Sequence, residues 1–531
     1  MRAAVLIWLA VAWPAFTQDA SRYVGSKVCF GCHAQTYRSY FATDMGRSMA
    51  AATDLNDPNI PVEAAVPAPT PGRTIRVYHD PTGWHQSETE PGVFADEHKL
   101  DYVIGSGANG LTFLVTRGQD LFQAPLSFYS RPRKWDLSPG YGSVDIGFSR
   151  PIAEQCLACH SSRMRPHAVN IEPAIGCESC HGPGERHAKA HGSIVNPAKL
   201  SPRLAEDICM YCHQRGDTRI TQPSKDIFDF RPGQPLLATV AILKVPSQGG
   251  DQQDSDLLEH HSAMKLSRCF RESGGKLSCL TCHDPHVQPR GEETAAYFRA
   301  KCLTCHTDAS CRFPRAARLE GHPPDDCAGC HMPKRDIAVI SHSALTNHRI
   351  PARPDEPVPA GPQADESGLI LVNRPEHSSG VLPATVLLRA YGEFAGEHPE
   401  YQARYFRLLD RLAIEQPGDP FVQAALGHKA LVASKPEDAL AHLTKALPMS
   451  DPTVYRDLAQ ASDALGRTSD AVEYLKKAVE AGPYDTAMRK TLILEYIKIK
   501  RYAEARQAME EYVSFFPEDA FMRGLLARVS K

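Results

Sequence analysis

Seven times between Cys29 and His331, two cysteines stand two residues apart with a histidine directly behind the second. The copies are Cys29/Cys32/His33, Cys156/Cys159/His160, Cys177/Cys180/His181, Cys209/Cys212/His213, Cys279/Cys282/His283, Cys302/Cys305/His306 and Cys327/Cys330/His331. They use fourteen of the sixteen cysteines. The product of the cysteine and histidine frequencies along the chain gives roughly 0.02 such matches by chance, so the pattern is no accident of composition. Thiol pairs at this spacing serve zinc sites, redox disulfides or covalent haem, and the fold must be arranged around whichever it is.

The trailing histidine separates these chemistries. Cys156, Cys159, Cys177 and Cys180 have the spacing of a zinc ribbon, but a ribbon has no use for a histidine behind every second cysteine. No βαβ pattern surrounds the sites, as a thioredoxin-like dithiol would require. Haem uses all three residues. Two thiols add to the two vinyl groups, and the adjacent imidazole takes the proximal position on iron. The pattern therefore predicts seven haem c groups, with His33, His160, His181, His213, His283, His306 and His331 as proximal ligands.

A haem that only moves electrons has both axial positions filled by protein. Residues 18–350 hold twelve further histidines, more than seven haems require. His187 in "CHGPGERH", His261 in "EHHSAM", His286 in "CHDPH", His322 in "GHPPDDCAGC", and His342 and His348 in "SHSALTNHRI" are the best-placed distal candidates, several beside a Pro or Gly that stiffens the turn. His167, His191 and His260 are weaker ones. His79, His85 and His98 lie in a β-like stretch. No histidine lies between His33 and His79, and "FATDMGRSMA" offers Met45 and Met49 there, either as thioether ligands or as packing residues. The leftover Cys269 and Cys311 form an even pair, which suggests a disulfide, with free thiols as the alternative.

The first residues, "MRAAVLIWLAVAWPAFTQDAS", read as a secretory signal peptide over 1–17, because the apolar run is short for a span. No later stretch is apolar enough to cross a bilayer. A formal charge of −3 argues against nucleic acid as a partner. Residues 18–350 hold the motifs, interrupted by a small β-rich insertion at about 70–148, where "TIRVYHD", "LDYVIGSG" and "LTFLVTRGQDLFQAPLSFY" alternate apolar and polar residues and "RGQD" reads as a hairpin turn. "GSGANG" has no Walker lysine and reads as a turn. Residues 351–382 open with "PARPDEPVPAGPQADE" and read as a Pro-rich linker. From 383 to 531 cysteine is absent and helical periodicity sets in. Tyr455, Leu458, Ala459, Gly466, Ala471, Leu475, Ala478 and Pro483 occupy tetratricopeptide (TPR) positions. Leu492, Tyr496, Ala505, Met509 and Pro517 follow in a repeat set on by 34 residues, and Leu426, Gly427, Ala439, Leu443 and Ala446 precede in one set back by 32. The predicted fold class is mainly α: a loop-rich multihaem domain with that β insertion, followed by an α-solenoid of TPR helix pairs.

Together, "VCFGCH", "CLACHSS", "CESCHGPGERH", "SGGKLSCLTCHDPH", "CAGCHMPK", "NHRI" and the repeats resemble the multihaem c-type cytochromes fused to TPR repeats, a family of exported bacterial proteins. The resemblance implies periplasmic electron transfer through bis-histidine haems, with redox partner proteins and a further protein partner on the repeats. It makes His187, His286 and His348 the favoured distal ligands. Relatives carry a histidine where this chain has "TDMGRSM", which is a departure at the first haem. The alternative function is a multihaem reductase of a nitrogen or sulfur oxyanion, which needs one haem with an open site.

Overall fold

The computed structural model describes residues 22–142, 145–162, 171–246, 259–334, 346–375 and 381–529. The expected signal peptide, His167 and His342 lie outside them. Strands are numbered β1 Met49–Ala51, β2 Glu63–Pro67, β3 Thr74–Asp80, β4 Gly83–Glu90, β5 Phe94–Lys99, β6 Tyr102–Ile104, β7 Gly110–Arg117, β8 Asp120–Tyr129, β9 Lys134–Leu137, β10 Arg150–Pro151, β11 Thr218–Thr221, β12 Val240–Lys244 and β13 Ile370–Leu371.

Strands β2 to β5 form an antiparallel meander, and a second sheet runs β1-β6-β7-β8-β10 with β9 on β8. Alternation decides which side chains meet. Ile75 and Val77 point inward from β3, and join Trp84, Val103, Phe113, Phe122, Phe128 and Trp135 in one core. Arg117 pairs with Asp120 across a two-residue loop whose first residue, Gly118, has a φ of 64°. That is the tight hairpin geometry glycine permits. In the turn before β7, Gly105 has a φ of 113°, and a Cβ there would meet the carbonyl of Gly110 at 2.5 Å. The β-rich part is larger than the insertion predicted at 70–148, since its strands run from Met49 to Pro151. The chain is thus mixed α/β rather than mainly α. β1 reads "MAA" and β2 "EAAVP", neither rich in β-branched or aromatic residues, and tertiary pairing makes them strands.

Beyond β10 the described helices are short: 154–160, 178–181, 185–190, 202–213, 260–266, 268–272, 279–282, 293–302, 315–319 and 327–331. The segment expected as a linker contributes structure of its own. Ile370 and Leu371 pair with β12, and buried Asn373 accepts from Ile242 N at 2.9 Å and donates to Val240 O at 2.8 Å.

From Ala384 onward the chain is helical hairpins: 384–394 with 399–415, 420–432 with 436–446, 452–464 with 468–481, and 486–498 with 502–515, then 520–529. Small residues set the helix separation. A Cβ on Gly427 would lie 2.4 Å from Leu443 Cγ, so these two helices touch as only glycine allows. Asp419, Asp451 and Asp485 each accept a backbone N–H at their helix start. Asp419 and Asp451 have proline at the first helical position. Both ends of the stack are fastened. Val386, Leu388 and Ala390 pack on Ile220, Ala241 and Leu243 of the β11–β13 sheet, and Arg389 donates to Thr221 O at 2.9 Å. At the far end Arg117 donates to Phe515 O at 2.7 Å, Arg73 to Glu518 O at 2.8 Å, and Tyr484 to Asp120 Oδ2 at 2.8 Å.

Candidate functional site

A helical turn puts residues i and i+4 on one face, and the first cysteine and the histidine of each motif stand four apart. The amides of His181, His283 and His306 donate back to the carbonyl of their own first cysteine at 3.1, 3.0 and 3.0 Å. All described cysteines are free thiols. Among the described residues there is no group of three or more His, Cys, Asp or Glu placed to hold a metal ion.

Histidines from distant parts of the chain are instead brought together in pairs. His33 and His187 have ring centroids 6.2 Å apart at an interplanar angle of 16°, and His181 and His286 stand 6.0 Å apart at 19°. His283 and His348 are 6.3 Å apart at 31°. Each pair joins a motif histidine to a predicted distal one. A metal–imidazole bond is about 2 Å and the ring radius about 1.2 Å, so two imidazoles holding one metal ion between them have centroids roughly 6.3 Å apart. These three separations leave room for an iron.

The hydrogen bonds fix which nitrogen is available. Nδ1 of His181, His187, His331 and His348 meets the carbonyl of Val195 at 2.8 Å, Gly192 at 2.9 Å, Pro351 at 2.9 Å and Thr346 at 2.9 Å respectively. A carbonyl only accepts, so each Nδ1 carries the proton and each Nε2 keeps its lone pair. This is the outer-shell bond that orients a metal-binding imidazole. Burial pushes the pKa of His181, His213, His260, His283 and His348 down, keeping them neutral as ligation requires.

Glu178, inside the third motif, clamps the first motif to it. Its buried carboxylate accepts from the amides of Val24 at 3.0 Å, Gly25 at 2.8 Å and Gly184 at 2.6 Å. The thiols of Cys29 and Cys177 lie close to each other, as do those of Cys209 and Cys279.

The other predicted residues are placed as follows. Cys212 of the fourth motif is half-buried and packs against the apolar cluster that contains Ile208, Tyr211, Phe228 and Phe230. Helix 202–213 sets it there, because Ile208, Tyr211 and Cys212 stand at i, i+3 and i+4 and so share the face turned to that core. Cys180 of the third motif packs on the same cluster. His261 is 4% exposed and its Nε2 meets Glu206 Oε2 at 3.1 Å; its neighbour His260 is the one whose ring lies 5.2 Å from His213 and 4.5 Å from His348. Adjacent residues on a helix point about 100° apart, and nothing in "EHHSAM" says which faces the thiols. Met49 is 1% exposed and packs with Leu114, Leu121 and Leu157. Met45 is half-buried, and the ring opposite His33 belongs to His187. His306 and His322 are exposed and lie in none of these ring pairs, and His191, also exposed, ends the helix 185–190 with a φ of 49°. His98 packs on Phe148 and His85 stacks on Tyr78, both within the β region. Cys269 and Cys311 form no disulfide: Cys269 lies near Cys305, and Cys311 near Cys327. The Glu178 clamp and the repeating capping aspartates were missed; the aspartates recur at a regular spacing that the sequence displays.

Comparison with known proteins speaks to the C-terminal repeats. A tetratricopeptide repeat family model matches residues 464–529. The crystal structure of MamA aligns at 18% identity over 28% of this chain and 84% of that one, with a TM-score of 0.23. YrrB, a TPR protein with an unusual peptide-binding site, aligns at 17% identity over 28% and 76%, with a TM-score of 0.25. The first TPR of Spaghetti (RPAP3), bound to the HSP90 peptide SRMEEVD, aligns at 18% over 21% and 92%, with a TM-score of 0.19. No curated protein sequence matches the chain. The family match marks residues 464–529 as tetratricopeptide repeats, an architecture that presents an extended surface to other proteins. Among the described residues no helix is long and apolar enough to cross a membrane.

Proposed function

We propose that this chain is an exported, seven-haem electron-transfer protein whose TPR repeats dock a protein partner. The observation that carries the reading is the set of three histidine pairs at 6.0 to 6.3 Å, each joining a Cys-x-x-Cys-His histidine to a remote one. Haem, when bound, supplies an iron that cycles between ferric and ferrous states. The thiols of each motif would hold it by two thioether bonds. At the fourth motif the apolar cluster around Cys212 would meet the edge of the porphyrin, itself apolar. His33 with His187, His181 with His286 and His283 with His348 would hold the iron between them, which would suit one-electron transfer. The backbone carbonyls at Nδ1 hold the rings in place and raise their basicity.

Export fits the chemistry, since covalent attachment keeps a cofactor on a protein outside the cytosol. The docking role rests on the repeat architecture. The test is the mass and the reduced visible spectrum of mature protein made in cells equipped for haem attachment. Seven haems added at the paired thiols, and a mature chain lacking residues 1–17, are expected. An unmodified mass, or zinc in place of iron, overturns the reading.

A further inference from the structure

The seven motifs are not strung in a line. We infer that their attachment sites form three arms meeting at the fifth motif, Cys279/Cys282/His283; this rests on the haem reading above.

One arm runs to the third and first motifs. His286, three residues past His283, faces His181 of the third motif, and His187 behind the third motif faces His33 of the first. The Glu178 carboxylate, accepting from the amides of Val24 and Gly25, ties those last two together. A second arm runs to the fourth and second motifs. The rings of His283, His348, His260 and His213 follow one another at centroid separations of 6.3, 4.5 and 5.2 Å, and the thiol of Cys279 lies close to that of Cys209. Cys159 of the second motif then donates to the carbonyl of Tyr211, inside the fourth, at 3.8 Å. The third arm leaves through helix 293–302, whose Phe298 ring lies 5.5 Å from His283 and whose last residue, Cys302, opens the sixth motif. The same helix packs on 327–331, and Arg299 donates to Asp325 Oδ2 at 2.5 Å, two residues before Cys327 of the seventh.

Exposure gives an independent check. The exposed motif cysteines are Cys32, Cys156, Cys305 and Cys330, which belong to the first, second, sixth and seventh motifs. Every cysteine of the third, fourth and fifth is half-buried. Four of the seven motifs thus reach the surface: the first and the second each at the end of an arm, and the sixth and seventh together along the third; an unbranched chain of sites has two ends. The protein therefore offers three places, rather than two, where a one-electron donor or acceptor protein can make contact.

Anomalous scattering at the iron absorption edge, on crystals of the haem-loaded full chain, tests the order. The iron at the fifth motif should have those of the third, fourth and sixth as its three nearest neighbours, and the iron at the second should lie nearest the fourth. Irons present at the motifs in any other order overturn the inference and leave the haem reading standing; no iron at the motifs sinks the haem reading itself. In solution, Cys279→Ala/Cys282→Ala should remove magnetic coupling from three haem signals in the electron paramagnetic resonance spectrum, and Cys327→Ala/Cys330→Ala from one. Two or fewer altered signals in the Cys279→Ala/Cys282→Ala variant overturn the branching.

Discussion

Between Phe270 and Lys334, three motifs share one buried apolar side chain, Ala295, among the described residues. Between Ala384 and Val529 nearly every helix contributes several, from Val386, Leu388 and Leu409 to Leu475, Ile493 and Met509. The two regions are held together by different means. The repeats bury leucine against alanine, and the hydrophobic effect alone accounts for their packing. The cysteine-rich lobe has no such core, and short helices of four or five residues do not persist by propensity. Ion pairs such as Arg299 and Arg318 on Asp325 help to hold it, and under the proposed haem reading a bulky apolar group fixed at its thiols would supply the missing core.

This contrast can be broken by experiment. The largest effect is expected from withholding haem attachment: limited proteolysis should then degrade residues 259–334 while the fragment from about residue 384 survives; equal resistance of both regions would remove the contrast. Next, Leu475→Ala empties a fully buried site in the repeats. It should lower stability by about 2–5 kcal/mol in denaturant melts without changing the haem spectrum.

A smaller effect concerns the seam between the β region and the last repeat. Glu88 is buried beside Asp145, which pushes its carboxyl up to about 8, and burial raises Glu518 as well. The native state therefore keeps protons that the unfolded chain loses above its ordinary carboxyl pKa of 4.5. Stability should fall as pH rises from there through 8. Glu88→Gln should flatten that slope, gaining on the order of 1–3 kcal/mol over the parent at pH 8.5 and nothing at pH 4.5 in thermal melts. The smallest effect is expected of Asp451→Ala, which removes the cap accepting from Thr453 N at 2.7 Å and should cost about 1 kcal/mol.

What the sequence displayed was local. A pentapeptide written seven times and a helical repeat of 34 residues are legible because their residues lie within one turn or one hairpin. Which remote histidine faces which motif depends on the tertiary path. His187 reaches His33 because Glu178 binds the amides of Val24 and Gly25, and no spacing rule contains that contact. The choice of His260 over His261 hangs on one residue of helix phase. Leu369 to Asn373 read as linker because prolines precede them, and became a strand because β12 had a free edge.

A stack of helical repeats with one loose end can flex like a spring. Here residues 384–394 stand on β11 and residues 515–518 on the sheets of the β region, so the stack is a handle riveted at both feet. Any partner that tightens or opens its curvature must pull on the carbonyls of Thr221, Phe515 and Glu518, and so load the sheets that flank the cysteine motifs.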